Sequence, residues 1–185
     1  NLHPDDTDNI QEAFVKNLET GEVTIASTSD DGTQANANSF NPDLSADGTA
    51  VAFDTFATNL DPADTDSTQD TYVKNLVTGD LTLASTSYTG VKGIGTGGDP
   101  EISGDGTKVA FTTESALDPA DAGSGNDVYV KNVVTGDIVL VSTPGGNTGL
   151  AAISADGTTV AFGGGNVFVR NLVTGDVTLA STTAE

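Results

Sequence analysis

An all-β chain built as part of a β-propeller is the fold class this sequence predicts, on three observations. The first is a phrase that returns. Ser45-Ala46-Asp47-Gly48-Thr49 with Val51-Ala52-Phe53 recurs as Ser103 to Thr107 with Val109-Ala110-Phe111, and again as Ser154 to Thr158 with Val160-Ala161-Phe162. The second is a companion phrase, Lys16 to Gly21, repeated as Lys74 to Gly79, Lys131 to Gly136 and Arg170 to Gly175. Self-similarity at a fixed period is the signature of repeat architectures. The third is punctuation: Asp-Gly and Thr-Gly pairs separate short apolar runs, and glycine accepts the positive φ of tight hairpin turns. No window carries a sustained helical period.

Each repeat reads as four strands. Asp43-Leu44 and Glu101-Ile102 lead into the Asp-Gly turn as a short first strand. Ala50 to Phe53 is the second, with Val51 and Phe53 on one face by period two. The third starts at Tyr72, Phe14, Tyr129 and Phe168, and the fourth at Leu81, Val23, Ile138 and Val177. Blades are expected near 42–86, 99–143 and 151–182, preceded by the outer two strands of another at 13–28. The segment 1–185 thus carries about three and a half four-stranded blades, whereas closed propellers have about 4–8. The opening pair lacks inner strands and would leave an open sheet edge. Further blades of the same polypeptide, or a ring-closing homo-oligomer, are therefore expected.

These phrases, Ser-x-Asp-Gly-x-x-Val-Ala-Phe and Tyr-Val-Lys-Asn-Leu-x-Thr-Gly, resemble the WD40-like (PD40) repeats of the TolB-type β-propeller superfamily. The closest resemblance is to the variant found in bacterial surface or secreted proteins. The resemblance runs over nearly the whole chain and implies a propeller fold. Its members include periplasmic scaffolds and propellers attached to peptidases, and it transfers no catalytic residues.

Composition narrows the function classes. Lys plus Arg number 6 against 27 Asp plus Glu, a formal net charge of −21. Phosphate backbones and anionic membrane surfaces are repelled by such a chain, so neither nucleic acid nor membrane insertion is expected. No cysteine is present, which excludes disulfides and thiolate metal sites. The acidity fits a salty medium that screens self-repulsion, cation binding by carboxylates, or both.

The loop between the second and third strands concentrates that acidity. One copy runs Asp61-Pro62-Ala63-Asp64-Thr65-Asp66-Ser67-Thr68-Gln69-Asp70, and another carries Asp118, Asp121 and Asp127. The opening copy aligns Asp6, Asp8 and Glu12. Carboxylates alternating with backbone carbonyls in a tight loop are what a hard cation with six to eight oxygen ligands requires. These ten residues are the candidate calcium ligands. The spacing is similar to the Asp-rich calcium loops of integrin-like blades, though shorter, and it lacks the glycine of an EF-hand loop. The same residue types also make solvated turns, because Asp side chains bond to nearby amides. The last repeat drops the loop, Phe162-Gly163-Gly164-Gly165-Asn166, so the site is expected to be accessory to folding.

Other motifs carry less. Asp47, Asp105 and Asp156 sit at the head of Asp-Gly turns and are read as turn formers. Gly93 to Gly98 matches Gly-x-Gly-x-x-Gly, but a strand entry follows rather than a helix, so it reads as a flexible loop between blades. The single His3 assembles no catalytic triad. Phe14, Tyr72, Tyr129 and Phe168 recur at one blade position and are read as core. The expected function is a non-catalytic, calcium-stabilised binding or scaffold module outside the cell, at its surface or in the periplasm. The segments Asp30–Asn41, Ser87–Gly98 and Pro144–Leu150 would meet a protein or a glycan. The alternative is an accessory domain of a secreted hydrolase, peptidase or glycosidase, whose catalytic domain lies elsewhere.

Overall fold

A computed structural model describes residues 2–123, 125–142 and 148–181. All regular structure in it is β. An opening two-stranded sheet pairs β1 (Phe14–Lys16) with β2 (Val23–Ile25). Three antiparallel four-stranded sheets follow, each a simple meander. The first is β3 (Ser39–Leu44), β4 (Ala50–Thr55), β5 (Asp70–Asn75) and β6 (Leu81–Leu83). The second is β7 (Gly97–Ile102), β8 (Lys108–Thr113), β9 (Asp127–Asn132) and β10 (Ile138–Leu140). The third is β11 (Leu150–Ile153), β12 (Thr159–Gly163), β13 (Val167–Asn171) and β14 (Val177–Leu179). The chain is a partial propeller of about three and a half blades. Most of the Pro144–Leu150 loop and the expected end of the last blade at 182 lie outside the described residues.

The core sits between blades, and the period-two pattern explains how. Val51, Phe53 and Tyr72 pack with Ala13, Ala26 and Leu83 on the side of the opening pair. Ala50, Ala52 and Val73, on the opposite face, join Val109, Phe111 and Tyr129 of the next blade. Ala110, Val128 and Val130 repeat the arrangement against Val160 and Phe162. Each blade thus offers large side chains to the blade before it and small ones to the blade after it. Phe53 and Tyr72 are cross-strand partners with stacked rings 6.0 Å apart, and Phe111 with Tyr129 repeats the pair at 6.3 Å. Phe162 with Phe168 completes the series at 5.6 Å.

The Asp-Gly turns form as expected. Asp47 Oδ1 accepts hydrogen bonds from the Ser45 hydroxyl, the Thr49 amide and the Thr49 hydroxyl, and Gly48 follows at φ 71°. Asp105 and Asp156 repeat the pattern. These bonds hold all three carboxyls below the usual carboxylate range.

The first strands differ from expectation. β3 and β7 begin at Ser39 and Gly97, several residues before Asp43 and Glu101. Each continues past a proline through a bulge, with Asn41 (φ 49°) and Asp99 (φ 53°) in the left-handed region. A bulge absorbs the missing proline N–H and lets pairing resume. Gly97 and Gly98 are therefore strand residues rather than part of a flexible loop. A Cβ on Gly97 would stand 2.7 Å from the Thr112 carbonyl oxygen, so close backbone approach explains that glycine.

Candidate cation site

The loop from β4 to β5 brings three carboxylates together. Asp64, Asp66 and Asp70 each place an oxygen within 4.8 Å of the others, with Asp64 and Asp70 buried. Local turns do the positioning. The Asp64 amide donates to the Asp61 carbonyl (3.0 Å), and the Thr68 amide and hydroxyl both donate to Asp66 Oδ1. The Tyr72 hydroxyl, rising from β5, donates to Asp64 Oδ2 at 2.8 Å. Asp70 Oδ1 accepts from the Ser85 hydroxyl at 2.6 Å. A buried acidic triad of this kind can hold a metal ion.

The sequence reading missed the residue that already brings positive charge there. Lys92 Nζ lies 2.8 Å from Asp70 Oδ2, 2.9 Å from Asp66 Oδ2 and 3.5 Å from Asp64 Oδ1, with its side chain only 8% exposed. It also donates to the Thr68 hydroxyl and the Gly93 carbonyl. Burial pushes the Asp64 and Asp70 carboxyls up, whereas the Thr68 hydrogen bonds and Lys92 hold Asp66 down at about 2. Burial works to lower the Lys92 ammonium, but the bonds to Asp70 and Asp66 prevail and raise it. The Tyr72 hydroxyl is raised by burial and by Asp64. One signal was available. Lys92 stands outside the repeated phrases, in the hairpin joining this blade to the next, as one of only six basic residues.

The other expected ligands are placed differently. Asp61 is a turn former outside the triad, its Oδ1 accepting from the Ala63 amide at 2.7 Å, and Asp118 does the same for Ala120. Asp121 accepts from the Tyr129 hydroxyl at 2.6 Å, and Asp127 from the Ser142 hydroxyl at 2.5 Å. Burial, then Asp121, pushes the Asp127 carboxyl up.

In the opening copy Asp6 and Glu12 are buried while Asp8 is exposed and accepts from the Ile10 amide at 2.7 Å. Phe14 occupies the position of Tyr72 and carries no hydroxyl. Both Glu12 carboxylate oxygens are buried without a hydrogen-bond partner. Burial, with Asp6 and Asp8 adding repulsion, pushes that carboxyl up to about 7.

Four of the five other Lys and Arg side chains join blades. Lys74 Nζ reaches back to the Thr28 and Ser29 carbonyls, and Lys131 Nζ to those of Thr86 and Ser87. Arg170 does the same to Leu140 and Val141, and Lys108 reaches the Gly157 carbonyl. Nearer the inner strands, buried Asp54 accepts from Thr71 Oγ1, the Asp99 amide and Asn41 Nδ2. It thereby ties the bulges of two adjacent blades together. Among the described residues, no helix is long and apolar enough to cross a membrane.

No family model matches the sequence, and no curated protein matches it. Solved structures do. TolB from Acinetobacter baumannii superposes with a TM-score of 0.56 at 19% identity, over 94% of this chain and 38% of that one. An oligogalacturonate lyase in complex with manganese gives 0.58 at 16% identity, over 94% and 47%. The tricorn protease gives 0.56 at 14% identity, over 85% of this chain and 15% of that one. The chain therefore spans less than half the length of the TolB and the lyase. What it shares with them is the fold: this chain is a partial β-propeller similar in structure to theirs.

Proposed function

We propose that the chain is a non-catalytic binding or scaffold module, extracellular or at the cell surface, stabilised by calcium and meeting a protein or a glycan through its inter-blade loops. One observation carries the reading. In the segment of residues 87–96, Tyr88, Val91 and Ile94 are 63%, 64% and 85% exposed, while the recurring polar residues are engaged in holding the blades. Apolar side chains presented on a loop of a rigid scaffold are a common form of contact surface. Asp47, Asp54 and Asp70 are engaged in a turn, a contact between blades and the Lys92 cluster, which argues against a hydrolytic pair among these three.

The second reading, an accessory propeller of a secreted hydrolase, draws on the likeness to the tricorn protease, of which the chain matches only a small part. A catalytic domain on the same polypeptide would favour it.

The test is binding of the chain to an immobilised panel of polysaccharides and secreted proteins, beside the double variant Tyr88→Ser, Ile94→Ser. A ligand held by the wild type should be weakened at least about tenfold in the variant, since two exposed anchors are lost. Equal binding by the variant, or turnover of a glycoside or peptide by the chain alone, would overturn the reading.

A further inference from the structure

Ala50 and Lys108 hold the same place in successive sheets, directly after the Asp-Gly-Thr turn and opposite Asn75 and Asn132. Each faces the turn glycine of the next blade. A Cβ on Gly106 would meet the Ala50 Cβ at 2.8 Å, and one on Gly157 would meet the Lys108 Cδ at 3.2 Å. Between the second and third four-stranded sheets, the lysine runs over that turn and its Nζ donates to the Gly157 carbonyl at 2.7 Å. Gly157 is buried there, whereas Gly106 stays half-buried.

Between the first and second sheets, Ala50 is too short to occupy the same space. A groove of about 230 Å³ remains, with Ala50, Asn75, Asp80, Asp105, Gly106 and Val134 among its walls. Its two carboxylates recur in the next repeat as Asp137 and Asp156. Asp105 Oδ1 is engaged by its own turn, and Asp80 Oδ2 accepts from the Thr78 hydroxyl at 2.7 Å. Those bonds use one oxygen of each carboxylate. A lysine ammonium has three donors and bonds most strongly to charged oxygen acceptors. The chain thus shows one design twice, once with an ammonium built in and once without.

We propose that this groove binds the ammonium of a lysine side chain carried by a partner protein, in the place that Lys108 fills one blade further on. The ammonium donates to the Gly106 carbonyl with Asp80 and Asp105 beside it, and the exposed Val134 flanks the alkyl stem. A net charge of −21 favours a basic partner segment, since complementary potentials steer encounter and fix register. The groove opens at the Asp-Gly end of the sheets, whereas the segment of residues 87–96 lies at the other end. It therefore stands independently of the Tyr88 and Ile94 surface.

The experiment is an amide NMR titration of the whole chain with a blocked Gly-Lys-Gly peptide at fixed ionic strength. In the wild type, shifts should be confined to the amides around Asp80, Gly106 and Thr107. Acetylating the peptide's lysine should weaken binding at least about tenfold, because a charged hydrogen bond is lost. Ala50→Lys should abolish the shifts, since the groove then holds its own ammonium. Lys108→Ala should add a second set around Gly157, a gain that a merely misfolded variant cannot produce. Asp80→Asn should weaken binding, while Asp176→Asn, with the same change in net charge at a turn remote from the groove, should bind as the wild type does. Shifts spread over the acidic surface, undiminished binding by Ala50→Lys, or no second set in a folded Lys108→Ala would overturn the proposal. Equal affinity for n-butylamine would overturn the assignment to a protein lysine.

Discussion

Asp54 shows how far a single carboxyl in this chain departs from a surface acid. It is fully buried, accepts three hydrogen bonds and stands beside Asp99. Burial is the larger influence and carries it from the usual 3.8 up to about 7, against the opposing pull of its donors. A carboxyl raised in the fold holds its proton more tightly there than in the unfolded chain. Its contribution is therefore complete below about pH 3.8 and is lost as pH rises towards 7. An asparagine amide at this position would keep the shape without the charge. Asp54→Asn should accordingly remove on the order of 4 kcal/mol of the fall in stability over that window. Urea unfolding at several pH values from 4 to 8 reads it, and parallel pH curves for the two proteins would contradict it.

Between blades, the basic residue of the third strand in each four-stranded sheet acts as a latch. Lys74 crosses to two backbone carbonyls of the hairpin that ends the opening pair, so the Tyr-Val-Lys-Asn phrase encodes a contact between repeats as well as a strand. Lys74→Met should cost about 2–3 kcal/mol, since hydrogen bonds from a charged donor are lost and carbonyls are left unpaired. Lys16, at the same position in β1, is exposed, and Lys16→Met should stay within about 0.5 kcal/mol. Denaturant midpoints of the two variants check the contrast, and equal effects would contradict it.

The second, third and fourth strands and the turn role of Asp47, Asp105 and Asp156 were legible because each recurs in phase and rests on local chemistry. The bulges at Asn41 and Asp99 were not, since Pro42 and Pro100 read locally as strand breakers. Their compensation comes from Asp54, remote in sequence. The acidic triad was legible as Asp64, Asp66 and Asp70. Its Lys92 was not, because the lysine arrives from the following hairpin and no spacing rule links it to the loop.

The whole molecule carries a net charge of −21 with six basic residues, and at least four of those six bridge blades. Such a surface repels itself, and a fixed or bound cation placed among the acids relieves the repulsion locally where bulk salt does so diffusely. The Asp64 loop is read as a cation seat filled by the chain's own lysine. Lys92→Gln tests this most directly, through its thermal midpoint in EDTA and in calcium at matched ionic strength, with the calcium stoichiometry by titration. A lowered midpoint in EDTA is expected, since losing one partner of a buried ion cluster costs about 3–5 kcal/mol. Calcium should restore the loss, and the variant should bind one equivalent more than the wild type. A midpoint that calcium does not restore, with no added equivalent, would contradict it.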